Sequence, residues 1–308
     1  MSADSESSAD EVCASCGKAA VDNIKLKLCT ACKVVKYCSV DCQKNHRKQH
    51  KKECKKRAAE IRENNLFKQP DECCLGECPI CCLPLPLGMS KFAVTSCCCK
   101  MICRGCSHAN QKRELEQGLE PKCTFCREPI MKPDEEIEKD SMKRVKANEP
   151  VAMTIMGSIC EKEGDLEGAF QYWTKAAELG NMEAHYNLSR LYADGQGVER
   201  DLKKKVYHLE EAAIGGHPYA RYNLGNHEFR NGRTGRATKH YIIAAKLGHD
   251  DALECVKKDF VNGYASKEDY EAALRGHQAA MDATKSEQRE EAYAFFEQTD
   301  HKRSSSQK

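Results

Sequence analysis

Small and apolar residues recur with a fixed period in the second half of the chain. Ala-Ala pairs, each followed by a glycine, occupy residues 176–180, 212–216 and 244–248, at steps of 36 and 32 residues. Around them Ala, Leu, Tyr, Glu and Lys dominate, prolines are few, and glycines come at intervals. Because helices commonly end at a glycine, this pattern predicts paired helices throughout residues 150–298.

Each predicted helix pair begins with a similar string. AHYNL starts at Ala184, ARYNL at Ala220 and ALECV at Ala252, and AMTIM at Ala152 lies one 32-residue step earlier. Four units result. Such hairpins bury their apolar faces only by stacking on one another, so we expect an all-α solenoid with a concave face.

One of these units, LYADGQGVERDLKKKVYHLEEAAIGG, resembles a Sel1-like repeat because it carries the G-x-G-V insertion and the aspartate of that family. Paired helices of this length also resemble tetratricopeptide repeats. The resemblance implies a surface that holds extended protein partners, here a substrate. The aromatic residues line either that surface or, as helical spacing favours, the core between helices. They are Trp173, Tyr186, Tyr192 and Tyr222.

Cysteine is concentrated in the first half, where 19 of the 21 cysteines lie at or before Cys126. The N-terminus is acidic and polar, and no apolar run approaches the about 18 residues of a membrane span. We therefore expect an intracellular protein, cytoplasmic or nuclear, with no membrane partner. In a reducing compartment, cysteines at two-residue spacing are metal ligands rather than disulfides.

The first cysteine group supplies enough ligands for two tetrahedral zinc ions. It comprises Cys13, Cys16, Cys29, Cys32, Cys38, Cys42, His50 and Cys54. Residues 38/42 and 50/54 are predicted as i,i+4 pairs of a helix, so each pair can share one metal. Cys42 and His50 would be about 12 Å apart on a continuous helix and must serve different ions.

This spacing, with the string YCSVDCQKNHRKQHKKEC, resembles a MYND finger over residues 13–54. The resemblance implies that Cys13, Cys16, Cys38 and Cys42 bind one zinc, and that Cys29, Cys32, His50 and Cys54 bind the other. It also implies binding of short proline-rich peptides, although Arg47 stands where the family has Trp. His46 is a rival ligand, but the eight ligands are complete without it.

The second cysteine group supplies four further pairs and resembles an all-cysteine RING finger, in the strings CPIC, CCCKMICRGC and CTFCREPI. The resemblance implies a cross-brace in which Cys78, Cys81, Cys103 and Cys106 bind one zinc, and Cys97, Cys98, Cys123 and Cys126 the other. Cys99 is the alternative within the triple. Cys73, Cys74 and Cys82 are expected to be free thiols. Such small modules fold only with their metal, so four Zn²⁺ ions are predicted in all.

RING fingers of this kind commonly act as ubiquitin ligases, which hold a charged conjugating enzyme and use no catalytic side chain of their own. By resemblance, Ile80 is a hydrophobic contact for the conjugating enzyme, and Arg127 is the cation that bridges the enzyme and ubiquitin. Thr124 stands where a proline often completes this surface, and the Trp frequently found after the third ligand pair is missing.

The sequence thus predicts two small zinc-stabilised cross-brace modules with little secondary structure, followed by an all-α solenoid. The predicted order is an acidic disordered tail (1–12), a MYND-type finger (13–54), a linker helix (55–72), a RING-type finger (73–130), a charged linker or short solvated helix (131–149), Sel1-like repeats (150–298) and a disordered tail (299–308). Since no ligand cluster lies beyond Cys126, chelation is expected to leave the helical half folded.

The leading hypothesis is a ubiquitin ligase whose MYND finger and repeats recruit substrate, and the alternative is a noncatalytic scaffold. A chromatin-associated regulator is a third hypothesis. It rests only on residues 44–57, which hold eight Lys or Arg and one Glu. A solvated helix face explains that run, with nuclear import or nucleic-acid contact as alternatives. The net charge of +2 and the absence of interleaved aromatic residues do not favour nucleic acid as a partner.

Overall fold

The computed structural model describes residues 12–20, 25–88, 90–130 and 134–305. The chain divides into two compact units, the first ending at Lys68 and the second beginning at Gln69. Each unit is described by itself. Except for Val12, the predicted acidic tail (1–12) lies outside the described residues, as do residues 306–308.

The first unit combines a small hairpin with one long helix. Strands β1 (Lys27–Leu28) and β2 (Lys36–Tyr37) are antiparallel, and α1 (Val40–Phe67) follows. Ser39 starts α1 by accepting a hydrogen bond from the N–H of Cys42, 3.2 Å away. Neither glycine nor proline interrupts the next 28 residues, so the finger and the predicted linker helix share one continuous helix.

The second unit opens with a compact module around a second hairpin. Strands β3 (Phe92–Val94) and β4 (Met101–Cys103) are antiparallel, and α2 (Arg104–Glu116) follows directly. Its core contains Leu85, Phe92 and Ile102, buried together with cysteine side chains. A core this small cannot stabilise the module alone, which is consistent with metal-dependent folding.

The rest of the second unit is helical. Its helices are α3 (Asp134–Lys146), α4 (Pro150–Glu163), α5 (Leu166–Glu178), α6 (Met182–Asp194), α7 (Leu202–Ile214), α8 (Pro218–Arg230), α9 (Thr234–Lys246), α10 (Asp250–Val261), α11 (Lys267–Ala283) and α12 (Glu287–Ser305). Consecutive helices from α4 to α9 pack as hairpins, and α10 and α11 continue the stack.

The repeated glycines end helices as predicted. Gly180, Gly216 and Gly248 have φ angles of +83°, +83° and +90° just beyond α5, α7 and α9. After each glycine, the next N–H donates back to the first alanine of the Ala-Ala pair at 3.0 to 3.1 Å. This is a Schellman cap, in which glycine takes the left-handed conformation without strain.

The charged segment 131–149 is not a free linker. Within it, α3 buries Ser141 completely, packs Val145 on the helical core and receives a hydrogen bond from Tyr172 Oη to Met142 Sδ. The guanidinium of Arg144 donates twice to the carbonyl of Cys97, at 2.9 and 3.2 Å. Of the two predicted possibilities, a linker or a short solvated helix, the segment forms the helix. This helix packs on both the zinc module and the repeats instead of being solvated all round.

The zinc module and the repeats belong to the same compact unit, so the boundary expected in residues 131–149 is replaced by one at residues 68/69. The N–H of Cys74 donates to the carbonyl of Gly216 at 3.1 Å, and α12 packs against α2. The tail predicted from residue 299 is also corrected, because α12 continues to Ser305 through a stretch without glycine or proline.

The aromatic residues of the repeats divide between two environments. Trp173 and Tyr192 are 1% and 6% exposed and lie between helices. Tyr186 and Tyr222 are half-buried and stack on His217 and His249, with ring centroids 4.6 and 4.7 Å apart. Trp173 and Tyr192 therefore belong to the core between helices, as the helical spacing favoured. Among the described residues, the helices include none whose length and apolarity would suit a membrane crossing.

Candidate metal centres and the exposed face of the second module

A recurring backbone turn positions the candidate metal ligands. In four Cys-x-x-Cys segments, the residue after the second cysteine donates its N–H to the carbonyl of the first cysteine, at 2.9 to 3.0 Å. These residues have φ angles of +54° to +72°, and they are Gly17, Lys33, Cys82 and Arg127. Three of the four are not glycine, and that conformation costs about 1–2 kcal/mol per residue. Zinc binding at these segments would contribute free energy that offsets this strain.

Within the described residues, four groups of potential ligand atoms each lie within 4.8 Å of one another. They are Cys13, Cys16, Cys38 and Cys42; Cys29, Cys32, His50 and Cys54; Cys78, Cys81, Cys103 and Cys106; and Cys97, Cys98, Cys123 and Cys126. Every group has the donor types and the number that a structural zinc site requires.

The sulfur separations fit a tetrahedral ion. With Zn–S bonds of about 2.3 Å, tetrahedral ligand atoms lie about 3.8 Å apart. Cys29 and Cys54 are 3.7 Å apart, and Cys81 and Cys103 are 3.8 Å apart. Cys97 and Cys126 are slightly closer, at 3.3 Å. The four sites therefore fit four zinc ions.

The helix geometry differs from the expectation in one respect. His50 and Cys54 lie one turn apart on α1, as predicted, whereas Cys38 precedes the helix and its N-cap Ser39. The Sγ atoms of Cys38 and Cys42 still approach to 3.5 Å. Cys42 and His50 lie in different groups, as their predicted separation along the helix required.

Backbone amides favour the thiolate form at the first cysteine of the four Cys-x-x-Cys segments that share this turn. Burial opposes ionisation, but backbone N–H donors outweigh it and lower the pKa of Cys13 and Cys29 to about 6; they come from the turn itself and, for Cys13, first from Cys38. The same balance lowers the pKa of Cys78 and Cys123 to about 7. Since the thiolate is the metal-binding form, the turn presents these sulfurs ready for a cation.

A variant of the same turn separates Cys99 from Cys97 and Cys98. Cys99 lies outside the fourth group, has a φ of +55° and donates its N–H to the carbonyl of Thr95 at 2.7 Å. Thr95 therefore takes the place of a first cysteine, and its Oγ1 lies 3.1 Å from Cys98 Sγ. Cys97, inside the turn, supplies the remaining sulfur.

The other candidate ligands lie apart from the four groups. His46 Nδ1 lies 3.0 Å from Tyr37 Oη, and its ring stacks on that of His50, with centroids 5.6 Å apart. This arrangement orients the His50 ring instead of adding a ligand. Cys73, Cys74 and Cys82 also stay outside the four groups.

Ile80 and Arg127 lie on the surface of the second module. Ile80 is 42% exposed, and Phe125, from the last ligand pair, is 48% exposed. The Arg127 guanidinium forms an ion pair with Glu114 Oε1 at 3.0 Å. Glu114 is buried and also accepts hydrogen bonds from the N–H of Lys122 and from Asn110. The Lys122 N–H and, against burial, the Arg127 charge hold the pKa of Glu114 below its usual value.

Glu114 and Arg289 carry no sequence signal that pointed to their positions beside the candidate zinc sites. The sequence does not distinguish a buried glutamate in a charged helix from an exposed one. Asn110, one turn before Glu114, indicates burial only weakly. Arg289 of α12 donates to Cys81 Sγ at 3.3 Å and is 1% exposed. Because 208 residues separate these two, no local pattern pointed to the contact.

Comparison with known families agrees with the geometry. The MYND finger family matches residues 13–54, and the Sel1 repeat family matches residues 152–181, 183–217 and 218–249. The chain therefore contains a MYND finger and Sel1 repeats. It is a cysteine-rich zinc-finger region followed by a helical Sel1-repeat solenoid. The helix pair α10–α11, predicted as a fourth unit, lies beyond the matched segments.

The chain is similar over short stretches to regulatory and binding proteins. It is 33% identical over 84 residues to chitin synthase regulatory factor 4 of Schizosaccharomyces pombe, covering 27% of this chain and 13% of that protein. It is 40% identical over 70 residues to chitin synthase regulator SKT5 of Saccharomyces cerevisiae, covering 23% and 10%. For the rat DAP3-binding cell death enhancer 1 the values are 39% over 56 residues, covering 18% and 11%. The chain spans roughly a tenth of the length of these relatives.

Two solved structures align with part of the chain. A Sel1 repeat protein from Oxalobacter formigenes aligns with 58% of this chain and 72% of its own, with 24% identity and a TM-score of 0.44. The protective antigen c5321 of uropathogenic Escherichia coli aligns with 58% and 38%, with 19% identity and a TM-score of 0.42.

Proposed function

We propose that this zinc-binding interaction adaptor is a ubiquitin ligase, in which the second zinc module is a RING-type finger and docks a conjugating enzyme. The MYND finger and the Sel1 repeats recruit the substrate, the former through proline-rich peptides. The sixteen grouped cysteine and histidine residues are its zinc ligands. No side chain of this chain takes part in bond making or breaking.

The interleaved order of the ligand groups is the observation that carries the proposal. The first Cys-x-x-Cys pair of the second module groups with the third pair, and the second pair groups with the fourth. This cross-brace brings the loop of Ile80 and the loop of Phe125 into one small module, each with its apolar side chain about half exposed. Exposed apolar side chains on a rigid module are suited to a protein partner.

In the proposed reaction, the substrate lysine amine attacks the thioester carbonyl that joins ubiquitin to the conjugating enzyme. The C–N bond forms, the C–S bond breaks, the enzyme cysteine leaves as thiolate, and the amine loses a proton to solvent. The module contributes orientation of the thioester, because holding a flexible conjugate in a reactive geometry lowers the entropic barrier.

Arg127 is compatible with the bridging role implied for it. Its side chain is 55% exposed, and the ion pair with Glu114 engages one terminal nitrogen. A guanidinium has five N–H donors, so other donors remain to reach a partner. Glu114 would then hold the cation in position before the partner arrives.

The same ion pair favours a second candidate, a noncatalytic scaffold. Asn110, Glu114 and Arg127 form a network that holds the last zinc loop to α2, so Arg127 already has a structural task. In that case the module binds proteins without promoting ubiquitin transfer.

A ubiquitination assay with a panel of conjugating enzymes tests the proposal. The wild-type chain should form ubiquitin conjugates, and Ile80→Ala or Phe125→Ala should reduce them about 30-fold, since truncating a central interface residue costs about 2 kcal/mol. Leu179→Ala, which truncates a similarly exposed apolar side chain on the repeats, is the matched control and should leave self-ubiquitination unchanged, because that reaction needs no recruited substrate. All variants should retain four zincs. A wild-type chain that is inert with every enzyme would favour the scaffold.

A further inference from the structure

Helix α1 carries a dense set of basic side chains that the proposed function does not use. Every one of them is exposed, and in the described part of the chain none has an ion-pair partner. They are Lys44, Arg47, Lys48, Lys51, Lys52, Lys55 and Lys56. With a rise of about 1.5 Å per residue, the set extends over about 18 Å of helix. We call it the basic half-cylinder.

The seven cations cover about half of the circumference of α1. At about 100° per residue, the seven cations spread over roughly 180° of the helix surface. The candidate zinc ligands Cys42, His50 and Cys54 lie on the other side, as does Glu53, the single acidic residue in the stretch 44–57. Ligands at both ends of this stretch anchor the helix, so the charges are held in a fixed array instead of an extended, flexible segment.

This composition disfavours a protein or a lipid bilayer as the partner. Lysine is depleted in the cores of protein interfaces, where apolar and aromatic residues dominate. Interfacial membrane helices pair their basic face with large apolar side chains, and residues 43–57 include no Leu, Ile, Phe or Trp. A flat membrane would also meet only part of a 180° array.

The geometry fits the groove of a B-form duplex better. The major groove of DNA is about 12 Å wide, admits an α-helix and has a row of phosphates on each wall. A helix with cations over half its circumference can pair with both rows at once. The deep, narrow major groove of duplex RNA excludes a helix, and single strands are held by aromatic stacking, for which this stretch has no side chain.

We propose that the basic half-cylinder binds double-stranded DNA through the phosphates on both walls of the major groove, without reading base sequence. Six of the seven cations are lysines, which act as point charges and lack the bidentate geometry used to recognise guanine. Binding depends on the local charge of this helix, so the near-neutral net charge of +2 for the whole chain does not oppose it. The sequence predicted a solvated helix face here and disfavoured nucleic acid on net charge and the lack of aromatic residues, whereas the structure adds that the seven cations form one half-cylinder on a helix held by candidate zinc ligands.

Fluorescence anisotropy with the zinc-loaded full chain and a short labelled DNA duplex tests this proposal. If about six phosphates are contacted, affinity should fall about a thousandfold between about 50 and 200 mM salt. The triple variant Lys48→Glu, Lys51→Glu, Lys55→Glu should bind at least tenfold more weakly, with a log–log salt slope flatter by about 2.7.

The matched control is Lys18→Glu, Lys25→Glu, Lys27→Glu, which changes the net charge equally at exposed lysines outside α1. It should keep the wild-type slope, and both variants should retain four zincs; if the first does not, the corresponding Lys→Gln triple replaces it. If both triple variants weakened DNA binding equally, overall charge would explain the effect and the proposal would be overturned. Binding to phosphatidylserine vesicles without binding to the duplex would also overturn it and assign the surface to membranes.

Discussion

Arg289, near the start of the last helix, donates a hydrogen bond to the Sγ of Cys81, 208 residues earlier in the chain and 3.3 Å away. The same guanidinium donates to the carbonyls of Leu83, Pro84 and Thr284, at 3.2, 2.7 and 2.8 Å. Arg289 is 1% exposed, so its charge is buried beside a cysteine of a candidate zinc site. A buried cation next to a metal-bound thiolate stabilises the negative charge of that sulfur.

We therefore expect Arg289→Gln to release zinc from the site of Cys78, Cys81, Cys103 and Cys106 about 10 to 100 times more readily, the usual effect of removing a ligand's hydrogen-bond partner. Zinc transfer to a chromogenic chelator measures this. Lys112→Ala is the matched control, because it removes only the exposed ion pair between α2 and Glu291 on α12. Indistinguishable release from the two variants would contradict the role assigned to Arg289.

Removal of zinc should also lower the melting temperature of the helices. The sequence suggested that they fold independently of the metal. However, Arg289, Arg144 and the Cys74–Gly216 hydrogen bond join the zinc module to the repeats. Each kcal/mol lost corresponds to about 2–4 °C for a domain of this size. Circular dichroism melts with and without a chelator test this. An unchanged melting temperature of the helices would show that they fold independently of the metal.

Gly225→Ala should destabilise the repeats by about 1–3 kcal/mol, as overpacking of a core usually does. A Cβ at Gly225 would lie 2.4 Å from Cε1 of Tyr241, whose ring is 3% exposed. Gly235→Ala is the control, since a Cβ there meets nothing within 4 Å. Chemical denaturation should separate the two, and equal midpoints would show that Tyr241 moves aside freely.

Acid should weaken the repeats through His240. Burial, aided by the charges of Arg221 and Arg236, lowers the pKa of this completely buried imidazole to about 3. The unfolded chain, with a histidine pKa of about 6.5, binds the proton first, so stability falls as pH drops below about 6.5.

Between about pH 7 and 5 the loss should be about 2 kcal/mol. His240→Leu should remove this part of the pH dependence, while zinc-related losses remain in both proteins. Denaturation curves at the two pH values measure the difference, and parallel losses in wild type and variant would refute the assignment.

Zinc counting tests the division of the cysteine triple. Cys98→Ser should lower the content from four ions to three, because Cys98 Sγ lies 3.8 Å from Cys123 Sγ in the fourth group. Cys99→Ser should leave four, because Cys99 lies in the turn that follows and outside the group. The opposite pattern would move the ligand role to Cys99.

Short-range spacing was enough to predict several features. The separation of Cys42 and His50, the ends of helices at Gly180, Gly216 and Gly248, and the helix-pair repeat all follow from helical geometry within one repeat or one finger. Such features are encoded locally, because the interacting groups lie within a few turns of each other. The structure reproduces them at those residues.

Tertiary structure alone decided how the modules are joined. The contact of Arg289 with Cys81, the packing of α3 on both neighbours and the burial of Glu114 beneath Arg127 depend on surfaces that meet only in the folded unit. A charged residue has the same local pattern whether it is solvated or buried opposite a partner, so the sequence assigned α3 to a charged linker or short solvated helix and gave no sign that Glu114 and Arg289 are buried. The partner, which lies up to 208 residues away, determines the difference.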